Sequence, residues 1–129
     1  VRMLSATAMR TILITMDEPT SLTDAYAFIK LGNAAGMSKN ISIVVNQAPS
    51  EMEGEKTYKT LLKACSNFLR LQPPLAGLVR HDPKVKETIR HQTPILIRSP
   101  NAQAAGDVEA IARHVWKSMS EARKAAADG

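Results

Sequence analysis

At 129 residues the chain is long enough to bury a real core, and its 44% apolar content argues against overall disorder and for one globular domain spanning residues 1–129. The net charge of +5 is unevenly spread: between Lys56 and Arg98 nine lysines and arginines stand against two acids, Asp82 and Glu87. Such an excess suits phosphates, an acidic protein or an anionic membrane surface, and equally a solvated face that aids solubility.

Val1 to Arg10 carries Met3, Leu4 and Ala8 and is expected to be the tail of a helix. It lacks the apolar stretch and cleavage site of a secretory signal, and no apolar run approaches the roughly 20 residues of a membrane-spanning helix. Cys65 is the only cysteine, so no internal disulfide forms, and its helical phase puts it in a core. These features predict a cytoplasmic setting.

Ile12, Leu13 and Ile14 form a short apolar run rich in β-branched residues, as in a strand buried on both faces. The loop Met16-Asp17-Glu18-Pro19 follows, and Ser21 and Asp24 form a pair suited to capping a helix start. Leu22, Ala25, Phe28 and Ile29 recur at helical spacing. A turn at Gly32, Asn33 and Gly36 leads to a second buried strand, Ile41 to Val45, ending at Asn46. After a polar loop, Gln47 to Glu55, a helix is expected with Tyr58, Leu61, Leu62, Cys65, Phe68 and Leu69 inward, stopped by Pro73-Pro74.

Leu75 to Val79 reads as a third strand, and Asp82 followed by Pro83 as a capped helix start with Val85 and Ile89 inward. Pro94 to Arg98 is expected to be a fourth extended run. The last helix is expected from about Gly106, with Val108, Ile111, Ala112, Val115 and Met119 at core spacing and Ala125 onward fraying. Strands alternating with helices predict an α/β fold, a mostly parallel sheet of about four strands with flanking helices. Aromatic residues are few, so the core should be mainly aliphatic.

The run Glu18-Pro19-Thr20-Ser21-Leu22-Thr23-Asp24-Ala25-Tyr26, followed by Ile29-Lys30, resembles the corresponding segment of the MinD/ParA-type ATPases. The FlhG/FleN-type regulators of flagellar number are the most similar branch, with Asp17 replacing a proline of that pattern. A second match runs from Gly77 to Val85 and on through His91 to Ile95, with Arg80 where the family has proline. Together the matches extend over about residues 8 to 118.

The resemblance implies half of a P-loop, Rossmann-like fold. ATP hydrolysis in that family requires a Gly-rich loop whose lysine grips phosphates, with aspartates for magnesium and water. Neither Gly-x-x-x-x-Gly-Lys-[Ser/Thr] nor the Lys-Gly-Gly variant occurs here. The segment Gly54-Glu55-Lys56-Thr57 has the wrong spacing, and Glu51, Glu53 and Glu55 would repel a triphosphate. The chain is therefore expected to be the carboxyl-terminal half of such an ATPase, inactive alone, with magnesium held only by the full-length protein. ATP would be met on its adenine side, by Asn46 and by Val79, Arg80, His81 and Asp82, and only weakly without phosphate contacts. An amide suits a purine edge, although an asparagine ending a strand is also a common turn former.

The resemblance also makes the strand Thr11 to Met16 an edge here, which predicts a homodimer through it or an amino-terminal half supplied in trans. The alternative is a stand-alone, non-enzymatic interaction module using the basic face. Nucleic acid is disfavoured by the lack of stacking aromatics. His81, His91 and His114 lack metal-ligand spacing, and there is no Gly-x-Ser-x-Gly elbow. In the full-length form a peripheral position at the inner membrane is expected.

Overall fold

A computed structural model describes residues 10–128, so the helix expected over Val1 to Arg10 falls, but for Arg10, outside the described residues. The chain divides into two compact units, one ending at His81 and one starting at Asp82.

In the first unit β1 (Thr11–Thr15), α1 (Pro19–Ala34), β2 (Ile41–Ala48), α2 (Glu51–Ala64) and β3 (Leu75–Arg80) alternate, with a short 3₁₀ turn at Ser38–Asn40 before β2. The sheet has the order β1-β2-β3, with both pairings parallel. Thr11 lies opposite Ile41 and Thr15 opposite Val45, so β1 and β2 are aligned along their whole overlap. The central strand is apolar on both faces and buried from Ile41 to Val45, as its sequence requires. Ala25 and Ile29 of α1 meet Ile41 and Ile43 of β2 and Leu61 and Cys65 on the α2 side. Burying each of the isoleucines and Leu61 contributes about 1.5–3 kcal/mol relative to exposure.

Several local expectations are corrected. β1 is not buried on both faces: Ile12 and Ile14, which share one face, are 41% and 61% exposed, whereas Leu13 and the buried Thr15 on the other face are covered. The first helix starts at Pro19 rather than at a Ser21/Asp24 pair, since proline with its preset φ is suited to a first helical position. The polar stretch after β2 is already helical from Glu51, because Ser50 Oγ accepts the Glu53 amide at 3.1 Å. Cys65–Leu69 continues α2 as a π turn, which shifts the helical phase and leaves Phe68 76% exposed. This segment ends at Arg70, in the left-handed region with φ 54°, before Pro73-Pro74 is reached.

The second unit contains α3 (Lys84–Arg90), the single turn α4 (Ile95–Arg98) and α5 (Gln103–Asp128). The fourth extended run expected over Pro94 to Arg98 is helical: the Pro94 carbonyl accepts the Ile97 and Arg98 amides, both at 3.0 Å. Three apolar residues between prolines are too few for their pattern to separate strand from helix. The sheet accordingly has three strands among the described residues. In α3 the buried position is Thr88, and Ile89 is 69% exposed; two turns are too short for the sequence to set the phase. α5 starts at Gln103 with Ala104 and Ala105 buried, leaves Ala112 exposed, and continues to Asp128 without fraying at Ala125. No helix among the described residues is long and apolar enough to cross a membrane.

Candidate nucleotide-base site

Ligands of open α/β sheets bind beyond the carboxyl ends of the strands. At that end of β2, Val45 pairs with Leu78, and the next pairing joins Ala48 to Arg80. Asn46 and Gln47 lie within this irregularity, and Gln47 takes φ 55°, an uncommon conformation for a residue with a side chain. The ladder resumes when the Ala48 carbonyl accepts the His81 amide at 2.8 Å. The bulge therefore sets Asn46 beside the strand end carrying Val79, Arg80 and His81.

Asn46 is half-buried, and its side-chain amide makes no hydrogen bond to any described residue. It retains a donor and an acceptor for a flat polar edge such as that of a purine. Val79 is half-buried and His81 exposed. Arg80 lies 4.0 Å from Glu51 at the start of α2, a loose ion pair because the Glu51 side chain is 73% exposed.

Asp82 opens the second unit, and both of its carboxylate oxygens are engaged there. Oδ1 accepts the Lys84 amide at 3.0 Å and Oδ2 the Ala104 amide at 3.1 Å. These amides, that of Ala104 foremost, hold its carboxyl below the usual carboxylate range. The sequence reading of Asp82 as a helix cap corresponds to this geometry, while its second role, at the start of α5, left no local signal.

The end of β1 carries a polar knot that sequence reasoning missed. Ser21 Oγ accepts the Met16 amide at 2.9 Å and lies 3.0 Å from the buried Thr15 hydroxyl. The Ser21/Asp24 spacing singled out the right serine for a different task. Gly54 of the loop-like Gly54-Glu55-Lys56-Thr57 segment sits inside α2, where a Cβ would lie 3.0 Å from Leu78 Cδ2 and 3.1 Å from Ala48 Cβ. That glycine serves close helix–sheet packing. No group of three or more His, Cys, Asp or Glu residues with metal-binding geometry occurs among the described residues. What the strand ends bring together is thus the polar side chain of Asn46 with Val79, Arg80 and His81.

No family model matches the chain. It is 32% identical over 108 residues to the antiactivator FleN of Pseudomonas aeruginosa, a match covering 84% of this chain and 39% of that protein. It is 28% identical over 105 residues to the flagellum site-determining protein YlxH of Helicobacter pylori, covering 78% of this chain and 34% of that one. The chain thus spans well under half the length of these curated relatives. Among solved structures it is similar to the MinD cell division protein of Aquifex aeolicus, with a TM-score of 0.67 at 18% identity over 85% of this chain and 44% of that one. A MinC:MinD complex from the same organism matches with a TM-score of 0.63 at 18% identity, covering 87% of this chain and 44% of that one.

Proposed function

Because the chain belongs to the MinD/ParA-type family, in its FlhG/FleN-like branch, we propose that it is the carboxyl-terminal, purine-side portion of a nucleotide-switch ATPase that regulates flagellar number or placement. The observation that carries this reading is the parallel alignment of β1 and β2, with Asn46, in the irregularity before β2 ends at Ala48, beside Val79, Arg80 and His81. Asn46 would meet the edge of adenine, and the backbone of residues 79–82 would form the wall beside it. With no Gly-rich phosphate loop in the sequence, this portion is non-catalytic by itself, and magnesium would be held only in the full-length protein. Binding of a base without its phosphates is weak, on the order of millimolar, or about −4 kcal/mol.

The test is a titration of the isotopically labelled chain with adenosine and with ATP plus magnesium, followed by amide chemical shifts. Small shifts confined to Asn46 and residues 79–82, lost in Asn46→Ala, support the reading. Micromolar ATP binding, turnover by this chain alone, or shifts elsewhere overturn it. The full-length gene product, carrying a Lys-Gly-Gly loop upstream, should hydrolyse ATP.

The same reading puts the full-length protein in the cytoplasm, peripheral at the inner membrane. It pairs β1 with a further strand, either of a second copy in a homodimer or of an amino-terminal half. The support is the edge position of β1 and the exposure of Ile12 and Ile14. Sedimentation that shows a monomer unaffected by Ile14→Lys would count against it.

A second reading, a stand-alone interaction module with a basic face, is favoured by the exposed lysines 56, 59 and 63 of α2. The upstream sequence separates the two, since a phosphate-gripping loop there belongs only to the first.

A further inference from the structure

On the first unit, α1 and α2 enclose an open groove of about 450 Å³. Leu22 and Tyr26 line it from α1, and Thr60, Ala64 and Phe68 from α2 and its π turn. Phe68 follows the buried Leu61 by seven residues, which in a regular helix would return it to the inward stripe. The π turn Cys65–Leu69 breaks that phase and leaves the ring 76% exposed on the groove wall. Single π turns within helices occur frequently at functional sites.

The rim of this groove is basic. Lys56 precedes Thr60 by one turn, Lys63 follows Thr60 by three residues, and Lys30 follows Tyr26 by one turn; all three are exposed. The one acid on that side of α2, Glu53, is held by Lys56 at 3.8 Å. Asp24 of α1 lines a different depression, with Leu13 and Phe28.

We propose that this groove docks an acidic amphipathic helix of a protein partner. Apolar side chains of such a helix, one turn apart, would enter between Leu22, Tyr26 and Phe68, and its carboxylates would lie over Lys30, Lys56 and Lys63. A second copy of this chain is a poor occupant, because an isologous contact would set one lysine rim against the other. A flat anionic bilayer would meet the lysines but would not fill the trough between two helices. The groove stands apart from Asn46, so its test is independent of nucleotide binding.

The probe is a synthetic helical peptide of about five turns, with leucines along one face and glutamates on the other. A control carries lysines in place of the glutamates. Added to the labelled full chain, the acidic peptide should shift amides along Leu22 to Lys30 and Thr60 to Phe68, saturating at tens of micromolar, about 10⁻⁵ M. The lysine peptide should bind at least about tenfold more weakly, and the acidic one should weaken with salt. Phe68→Ala and Lys63→Glu should each cost about tenfold in affinity, and since both side chains are exposed, their thermal melts should match the parent. Equal binding of the two peptides, shifts away from the groove, or full affinity in Phe68→Ala would overturn the proposal. So would self-association or binding to anionic vesicles that Phe68→Ala abolishes, since each would assign the groove to another occupant.

Discussion

The carboxylate of Asp82 reaches the backbone of Ala104: Oδ2 accepts that amide at 3.1 Å while Oδ1 accepts the Lys84 amide at 3.0 Å. One side chain thereby serves free amides at the beginnings of α3 and α5, where unpaired N–H groups and the helix dipoles both favour a negative charge. The carboxyl is held below its usual range by these amides, so its contribution is fully present above the unfolded value, about 3.9, and fades as pH falls through the folded one. Asp82→Asn keeps one acceptor and loses the charge, and Asp82→Ala loses both acceptors. At neutral pH the melting temperatures should rank parent, Asn, Ala, and the gap between parent and Ala should narrow as the buffer is taken to about pH 3. Melts across that range check the order, and a gap indifferent to pH would show that the charge is not the cause.

Ser21 fastens the end of β1 to the first turn of α1. Its Oγ accepts the Met16 amide at 2.9 Å and lies 3.0 Å from the Thr15 hydroxyl, and Thr15 is 1% exposed. Ser21→Ala would leave the part-buried Met16 amide without its partner and the buried Thr15 hydroxyl with only a long 3.5 Å bond to the Met16 carbonyl. Stability should fall by about 1–3 kcal/mol, read from the urea midpoint at unchanged slope. If the knot instead rearranges around the Thr15 hydroxyl, the loss will be smaller and Thr15→Val will show none.

The parts of the fold that the sequence announces are those with long, consistent patterns. The run Ile41 to Val45 reads as a buried strand and is the central one, and Ala25 and Ile29, at helical spacing, pack against it. The stretches Glu18 to Tyr26 and Gly77 to Ile95 lie within a chain that is similar in sequence to FleN and YlxH and in fold to MinD. What failed was short or depended on a change of helical phase. Ile95 and Ile97 have β-forming side chains, yet local bonds to the Pro94 carbonyl make the turn helical. Phe68 has the inward spacing, but a π turn leaves no mark in an apolar pattern until its effect on exposure is seen. At the candidate site, β2 continues past Asn46 to Ala48, whereas the strand end before residues 80–81 was legible. The left-handed Gln47 that separates Asn46 from Ala48 was not, because glutamine is no marker for such a turn.

Gly54 tests the packing of α2 on the sheet. Alanine is worth about 1 kcal/mol more than glycine in a helix interior, so on propensity alone Gly54→Ala should stabilise. An added methyl, however, would lie 3.0 Å from Leu78 Cδ2, 3.1 Å from Ala48 Cβ and 3.2 Å from Leu78 Cδ1. Leu78 can change rotamer, but Ala48 can move only with the backbone of β2. Overpacking of this kind costs about 1–3 kcal/mol, enough to cancel or outweigh the propensity gain. Denaturant unfolding should therefore show a net loss for Gly54→Ala, with partial recovery when Ala48→Gly is combined with it.

Tyr58 ties α2 to the chain entering β3, since its hydroxyl donates to the Pro73 carbonyl at 2.7 Å. Pro73 is buried, so Tyr58→Phe leaves that carbonyl without its partner while the ring still packs. The expected cost is about 1–2 kcal/mol. Burial, and secondarily the nearby Cys65, raise the phenol's ionisation above its ordinary value. The hydroxyl bond therefore persists into alkaline solution. The stability difference between the parent and Tyr58→Phe, read from urea melts, should be complete below the unfolded phenol's value, about 10, and be lost as pH rises through the folded one.

Cys65 sits at the junction of α2 and the π turn with no measurable exposure, inside the cluster formed by Ile29, Ile43 and Leu61. Burial pushes its thiol above the ordinary value, because the apolar surroundings disfavour a thiolate. Alkylation by iodoacetamide near pH 8 should therefore be far slower than for an exposed thiol of ordinary pKa, about 8.5, and should accelerate only as urea opens the core. The neutral thiol also adds stability that is complete below the unfolded value and is lost as pH rises through the folded one. Cys65→Ala should cost about 1 kcal/mol in lost burial at neutral pH and should show a shallower alkaline decline. Rapid labelling of the native chain would mean that the helix end opens locally around the π turn, and that Cys65 is not sealed by the packing described.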